Sequence, residues 1–121
     1  MARVLALFDD LLLGSNVLGM LRAAGHDAEL LAGGEQARAG AAGAAVLIVD
    51  LASPATDGVA LVRSLRETGE LGETRTLGVY AHVDADTRAR ALEAGFDLVV
   101  PRSRLAREGA ALVDGLLDLP R

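Results

Sequence analysis

The sequence contains no cysteine, no tryptophan and no lysine. Without cysteine there can be no disulfide, no thiolate metal centre and no cysteine nucleophile, and a reducing cytoplasm is the natural compartment. Phe8, Tyr80 and Phe96 are the only aromatic residues, too few to build base-stacking platforms. Positive charge is scarce as well: the net charge is −5 and all twelve basic residues are arginine. No basic face of the kind a phosphate backbone requires is present, so nucleic acid is not expected as a partner. Long apolar runs are missing too. The first, Val4 to Phe8, is closed by Asp9-Asp10, far short of the roughly eighteen residues that span a bilayer. A soluble, unprocessed, cytoplasmic protein without membrane contact is expected.

The 121 residues suit one domain, 1–121, able to bury roughly two thirds of its unfolded surface. Its organising stretch is Val46-Leu47-Ile48-Val49-Asp50. Four branched apolar residues without alternation read as a strand buried on both faces, as in the middle of a parallel sheet. Asp50 then lies at the carboxyl end of that strand, where open parallel sheets place their ligand crevice. Pro54 and Asp57-Gly58 prescribe the turn that follows.

Four further strands are expected around it. Val4 to Phe8 leads into a helix reaching about Ala24, with Val17, Met20, Leu21 and Ala24 at helical spacing and Gly25 as its stop. Ala28 to Leu31 forms a short strand, followed by a short helix near Glu35 to Arg38. A helix over about Gly58 to Glu67 follows the central strand, with Thr68 to Arg75 as a polar loop. Leu77 to Ala81 reads as the next strand, and Asp84 caps a helix that stops at Gly95. Val99-Val100 is the last strand. From Ser103, the spacing of Leu105, Leu112, Val113 and Leu116 predicts a final amphipathic helix.

Five strands alternating with five helices predict an α/β fold: a doubly wound, flavodoxin-like, five-stranded parallel sheet with helices on both faces and right-handed crossovers. In strand order 2-1-3-4-5 the first and third strands are neighbours, about 5 Å apart. Asp9, Asp10 and Asp50 then converge at one sheet edge. Clustered carboxylates repel, and one relief is a hard divalent cation such as Mg²⁺. Beside a cation, a carboxylate can attack an incoming phosphate and form an acyl phosphate. For any single Asp the plainer role is a helix cap or turn former; three at one edge favour chemistry.

The run Asp50-Leu51-Ala52-Ser53-Pro54-Ala55-Thr56-Asp57-Gly58 resembles the phospho-acceptor segment of response-regulator receiver domains in the spacing of its Asp, Pro and Asp-Gly. Ala81-His82-Val83-Asp84 through Ala91-Leu92-Glu93-Ala94-Gly95-Phe96-Asp97 is similar to the same family's fourth helix and exit turn. The resemblance covers essentially the whole chain. It implies that Asp50 is the phospho-acceptor and Asp9 a metal ligand. It also implies Mg²⁺ at Asp9, Asp10 and Asp50, a histidine kinase or phosphotransfer protein as donor, and a downstream protein target. The face it implies for contacts or a homodimer is 84–117.

Four features depart from the family pattern. An ungapped alignment puts Phe8 where the family has its first acid and Asp9 where it has the second. Shifting by one makes Asp9-Asp10 the pair and shortens the first helix by a residue. Tyr80 occupies the switch position where the family has Ser or Thr, and a phenol is too long for the same contact. Where the family has lysine, Pro101 or Arg102 stands instead; arginine brings the charge, but its planar fork is not a compact ammonium. The family's fifth-strand aromatic is replaced by Leu98-Val99-Val100.

The chain thus reads as a stand-alone receiver of atypical composition, a signalling module and not an enzyme, with a never-phosphorylated pseudo-receiver serving constitutive binding or dimerisation as the alternative. A small flavodoxin-like enzyme has no motif here: Gly33-Gly34 lacks the phosphate-loop pattern, and no G-x-S-x-G is present. His82 is placed at the rim of the site or in an idle loop, and His26 is given no role. Leu11-Leu12-Leu13 is a lid, a docking surface or, for two of the three, core. Arg102, Arg104 and Arg107 form a basic edge or a solvated face.

Overall fold

The computed structural model of the chain describes residues 2–53, 56–81 and 84–120. Its elements are β1 (Arg3–Leu7), α1 (Leu11–Ala23), β2 (Asp27–Leu31), α2 (Gly34–Gly40), β3 (Val46–Asp50), α3 (Gly58–Thr68), β4 (Arg75–Tyr80), α4 (Ala85–Ala94), β5 (Leu98–Pro101) and α5 (Arg102–Leu117), with one 3₁₀ turn at Ala41–Gly43. All strand pairs are parallel and the sheet order is β2-β1-β3-β4-β5, the order expected from the sequence.

Side chains of successive strand residues point to opposite faces, and this alternation sorts the core into two layers. Leu47 and Val49 of β3 join Leu5, Leu7, Val62 and Leu65 beneath α2, α3 and α4. Val46 and Ile48 join Val4, Ala6, Val17, Leu21 and Leu105 beneath α1 and α5. β3 is buried throughout, so it carries apolar residues on both faces. Asp50 follows the even positions, which directs it toward the α1/α5 face.

Capping defines where the helices begin. Asp10, Asp57 and Asp84 cap α1, α3 and α4, each accepting from a backbone N–H three residues on, so the plainer role of an aspartate after a strand is filled at all three. The Thr87 hydroxyl also donates to Asp84, and that bond, followed by the Thr87 backbone N–H, holds the Asp84 carboxyl below its ordinary range. Gly95, with φ +103, closes α4 in a conformation that favours glycine.

Element ends differ from the sequence reading by one or two residues. β1 begins at Arg3 and excludes Phe8, and β4 begins at Arg75 because its first residues pair with Val46 and Leu47. α5 starts directly at Arg102, after Pro101, and not at Ser103. His26, given no role from sequence, is mostly buried and bonds Asp114 of α5 through Nε2 at 2.9 Å.

The first turn of α3 lies tightly on β3. A Cβ added at Gly58 would come within 2.5 Å of Val49 Cγ1 and 2.9 Å of Leu51 Cδ2. Gly58→Ala is therefore expected to lower the free energy of unfolding by about 1–3 kcal/mol through overpacking, read as a lower urea midpoint at unchanged slope.

Candidate functional site

The carboxyl ends of β1 and β3 bring Asp9, Asp10 and Asp50 to one edge, and the start of α5 brings Arg102 over it. Asp50 is 1 % exposed. One of its oxygens, Oδ1, accepts the Ala52 backbone N–H at 3.1 Å, and Oδ2 accepts from Arg102 Nη2 at 2.5 Å. The other terminal nitrogen of Arg102, Nη1, lies 4.0 Å from Asp10 Oδ2. The guanidinium thus spans two carboxylates. Burial of Asp50 makes this counter-charge necessary, because an ionised carboxylate taken out of water needs a partner.

The acids are individually engaged. Asp10 Oδ1 accepts the Leu13 N–H at 3.1 Å as the cap of α1, and Asp9 accepts the Ser53 hydroxyl. Phe8, in the first acid's place in the ungapped alignment, is 3 % exposed and packs in the α1/α5 layer with Val17 and Leu21. Met20, at helical spacing with Val17 and Leu21, is partly buried.

Arg102 is the residue that meets Asp50; Pro101 is the last residue of β5, paired with Tyr80 of β4. Tyr80 packs against the layer beneath α2, α3 and α4, whereas Asp50 is met from α5. Among the described residues, no hydrogen bond joins the phenol to the acid. Arg104 and Arg107 each pair with Glu108, so of the expected basic edge Arg102 turns to the acids. Leu11 and Leu12 are 68 % and 75 % exposed, and only Leu13 packs partly into the core. His82 and the Pro54-Ala55 part of the turn lie outside the described residues.

Two features escaped the sequence reading. Ser53 reaches Asp9 across the edge, a contact no spacing rule announces because it joins β3's exit loop to β1. Beside the site, a cleft of about 250 Å³ opens between that loop and α4, lined by Ser53, Thr56, Asp57, Thr87 and Arg90 among others. Its polar walls come from segments far apart in sequence.

The oxygens of Asp9, Asp10 and Asp50 are the hard donors Mg²⁺ takes, but their arrangement does not fit that ion. Among the described residues, no three acidic or histidine side chains gather as a metal cage. Oδ2 of Asp50 is held by Arg102, which also faces Oδ2 of Asp10. The position between those two oxygens is filled by a guanidinium.

No protein-family model matches the chain, and no curated protein matches its sequence. Solved structures do. A response-regulator signal receiver domain from Bermanella marisrubri superposes with a TM-score of 0.86 at 21% identity, over 96% of this chain and 98% of the other. A Francisella response-regulator receiver domain gives 0.84 at 20% identity over 97% of each. The receiver domain of the TMAO respiratory response regulator TorR gives 0.85 at 22% identity, again over 97% of each. At these identities the likeness establishes the fold. The chain has the flavodoxin-like fold of response-regulator receiver domains, with an acidic edge where the fold's crevice opens.

Proposed function

We propose that this chain works as a response-regulator receiver that takes a phosphoryl group onto Asp50 from a histidine kinase or phosphotransfer protein. The observation that carries the reading is Asp50 itself: a buried carboxylate at the crevice end of the central strand, held in place by the Ala52 N–H and by Arg102. A carboxylate fixed in this way is oriented for in-line attack on phosphorus. One Asp50 oxygen bonds to phosphorus as the bond from phosphorus to the donor imidazole nitrogen breaks. The electron pair stays on that nitrogen, which takes up a proton, and Asp50 carries an acyl phosphate.

Arg102 then has a second use. A guanidinium pairs bidentately with phosphate as readily as with carboxylate, so the fork that holds Asp50 can transfer to the phosphoryl oxygens. Because α5 begins at Arg102, such a transfer pulls on the N-terminus of the helix whose far side belongs to the 84–117 face. Leu92 and Leu117 are exposed on that face at 41 % and 38 %, which supports it as the contact surface for a downstream protein or a second copy. The implied Mg²⁺ would enter only in competition with Arg102, which already meets both carboxylates. The protein acts as a signalling module rather than a turnover enzyme, in the cytoplasm by our reading. No helix of the described residues is long and apolar enough to cross a membrane.

The test is incubation with acetyl phosphate, rapid quenching and intact-mass measurement, with Asp50→Asn alongside. One added phosphoryl group in the parent and none in the variant is expected. Addition that persists in Asp50→Asn would move the acceptor elsewhere. No addition to the parent, from acetyl phosphate or a phosphohistidine donor, would leave a binding module that works without phosphorylation.

A further inference from the structure

We propose that Arg102 is the resident cation of the acid edge, and that it and a divalent metal ion are mutually exclusive occupants of the oxygens of Asp10 and Asp50. The guanidinium bridges the two, at 2.5 Å from Asp50 Oδ2 and 4.0 Å from Asp10 Oδ2. A magnesium ion sharing both oxygens needs to lie about 2.1 Å from each, in near-octahedral geometry with waters completing the shell. That volume is the one the guanidinium fills. Two cations a few ångströms apart beside a fully buried carboxylate also repel strongly in the low-dielectric interior.

Arginine makes the exclusion firm. A lysine in such a place is a compact charge on a flexible stem and sheds its proton when its surroundings demand it; a guanidinium keeps its charge and presents a rigid fork. For metal to enter, Arg102 has to swing out as an ion. It is able to do so, since its side chain is 35 % exposed. Its buried Nε makes no hydrogen bond, so the carboxylates at its terminal nitrogens are its polar ties to the edge. The structure thus holds a site that is neutralised from within, in which metal affinity is set by how readily one side chain leaves. Metal binding is measured without a phosphodonor, so its outcome is independent of whether Asp50 accepts a phosphoryl group.

The experiment titrates Mg²⁺ into the full chain by calorimetry, with the rise in Tm at saturating Mg²⁺ as a second readout. Arg102→Gln is the main variant, because it removes the charge and keeps a side chain that can donate to Asp50; Arg102→Ala is the second. Both are expected to bind Mg²⁺ tighter than the parent by about tenfold or more. Arg104→Gln, which removes the same charge two residues away, should leave affinity unchanged, and adding Asp50→Asn to Arg102→Gln should cancel the gain. Equal affinity in parent and Arg102 variants would overturn the proposal. So would absence of Mg²⁺ binding by both variants, or an equal gain from Arg104→Gln.

Discussion

Arg102→Ala is expected to cost about 2–3 kcal/mol of stability at neutral pH and low salt, although the residue is one-third exposed and sits at the very start of its helix. The cost does not come from the arginine. Asp50 has a fully buried side chain, and removing its partner leaves a carboxylate without a counter-charge, held among the described residues by the Ala52 N–H. Breaking a buried pair from one side costs about 3–5 kcal/mol; the exposure of Arg102 lets water replace part of its contribution, which lowers the figure. Replacing both partners together, as Asp50→Asn with Arg102→Gln, removes both charges and should recover most of the loss. Urea unfolding of the parent, both single variants and the double variant forms a double-mutant cycle. A coupling energy near zero would mean that the 2.5 Å contact is a surface ion pair of little consequence.

The strand order and the two-layer core were readable because β3 is apolar on both faces and because glycine and aspartate punctuate the helices where chemistry requires them. The caps at Asp84 and Gly95 follow directly from local rules, as does the stop at Gly25, which takes φ +92. Boundaries slipped where tertiary pairing overrode local preference. β4 starts at Arg75 within a stretch that reads as a polar loop, since its first residues complete the ladder to β3, and no local pattern contains that information.

At the site, topology made the convergence of Asp9, Asp10 and Asp50 legible, and the missing lysine directed attention to Arg102. What each acid bonds was not legible. Asp10 doubles as the cap of α1 and Asp9 takes the Ser53 hydroxyl, and both depend on backbone positions accurate to a fraction of an ångström. The leucine triplet shows the same limit. Leu11 and Leu12 are exposed and Leu13 turns inward, a choice fixed by the rotation of α1 once Asp10 caps it.

A second guanidinium–carboxylate pair, at the opposite edge of the sheet, gives a different expected result. Asp97→Ala should lower stability by about 2–4 kcal/mol without altering where a phosphoryl group is accepted. Asp97 Oδ2 accepts the Thr76 backbone N–H at 2.8 Å, the Thr76 hydroxyl at 3.3 Å and Arg66 Nη2 at 3.3 Å. In return the Asp97 N–H donates to Thr76 Oγ1 at 3.1 Å. Thr76 is fully buried, so truncating Asp97 leaves its N–H and hydroxyl without their acceptor and removes the counter-charge of Arg66, whose Nη2 keeps its 3.3 Å bond to Thr76 Oγ1 and whose buried Nε makes no hydrogen bond. The stem of Arg66 lies against Gly95, where an added Cβ would come within 2.5 Å of Arg66 Cδ. Asp97→Asn keeps an acceptor oxygen and should lose only about 1 kcal/mol. Urea midpoints give the two magnitudes, and hydrogen exchange at the Thr76 amide locates the effect, since opening should quicken there first. If Asp97→Ala unfolds at the parent's midpoint, water has replaced the carboxylate, and the start of β4 is held by its ladder to β3 alone.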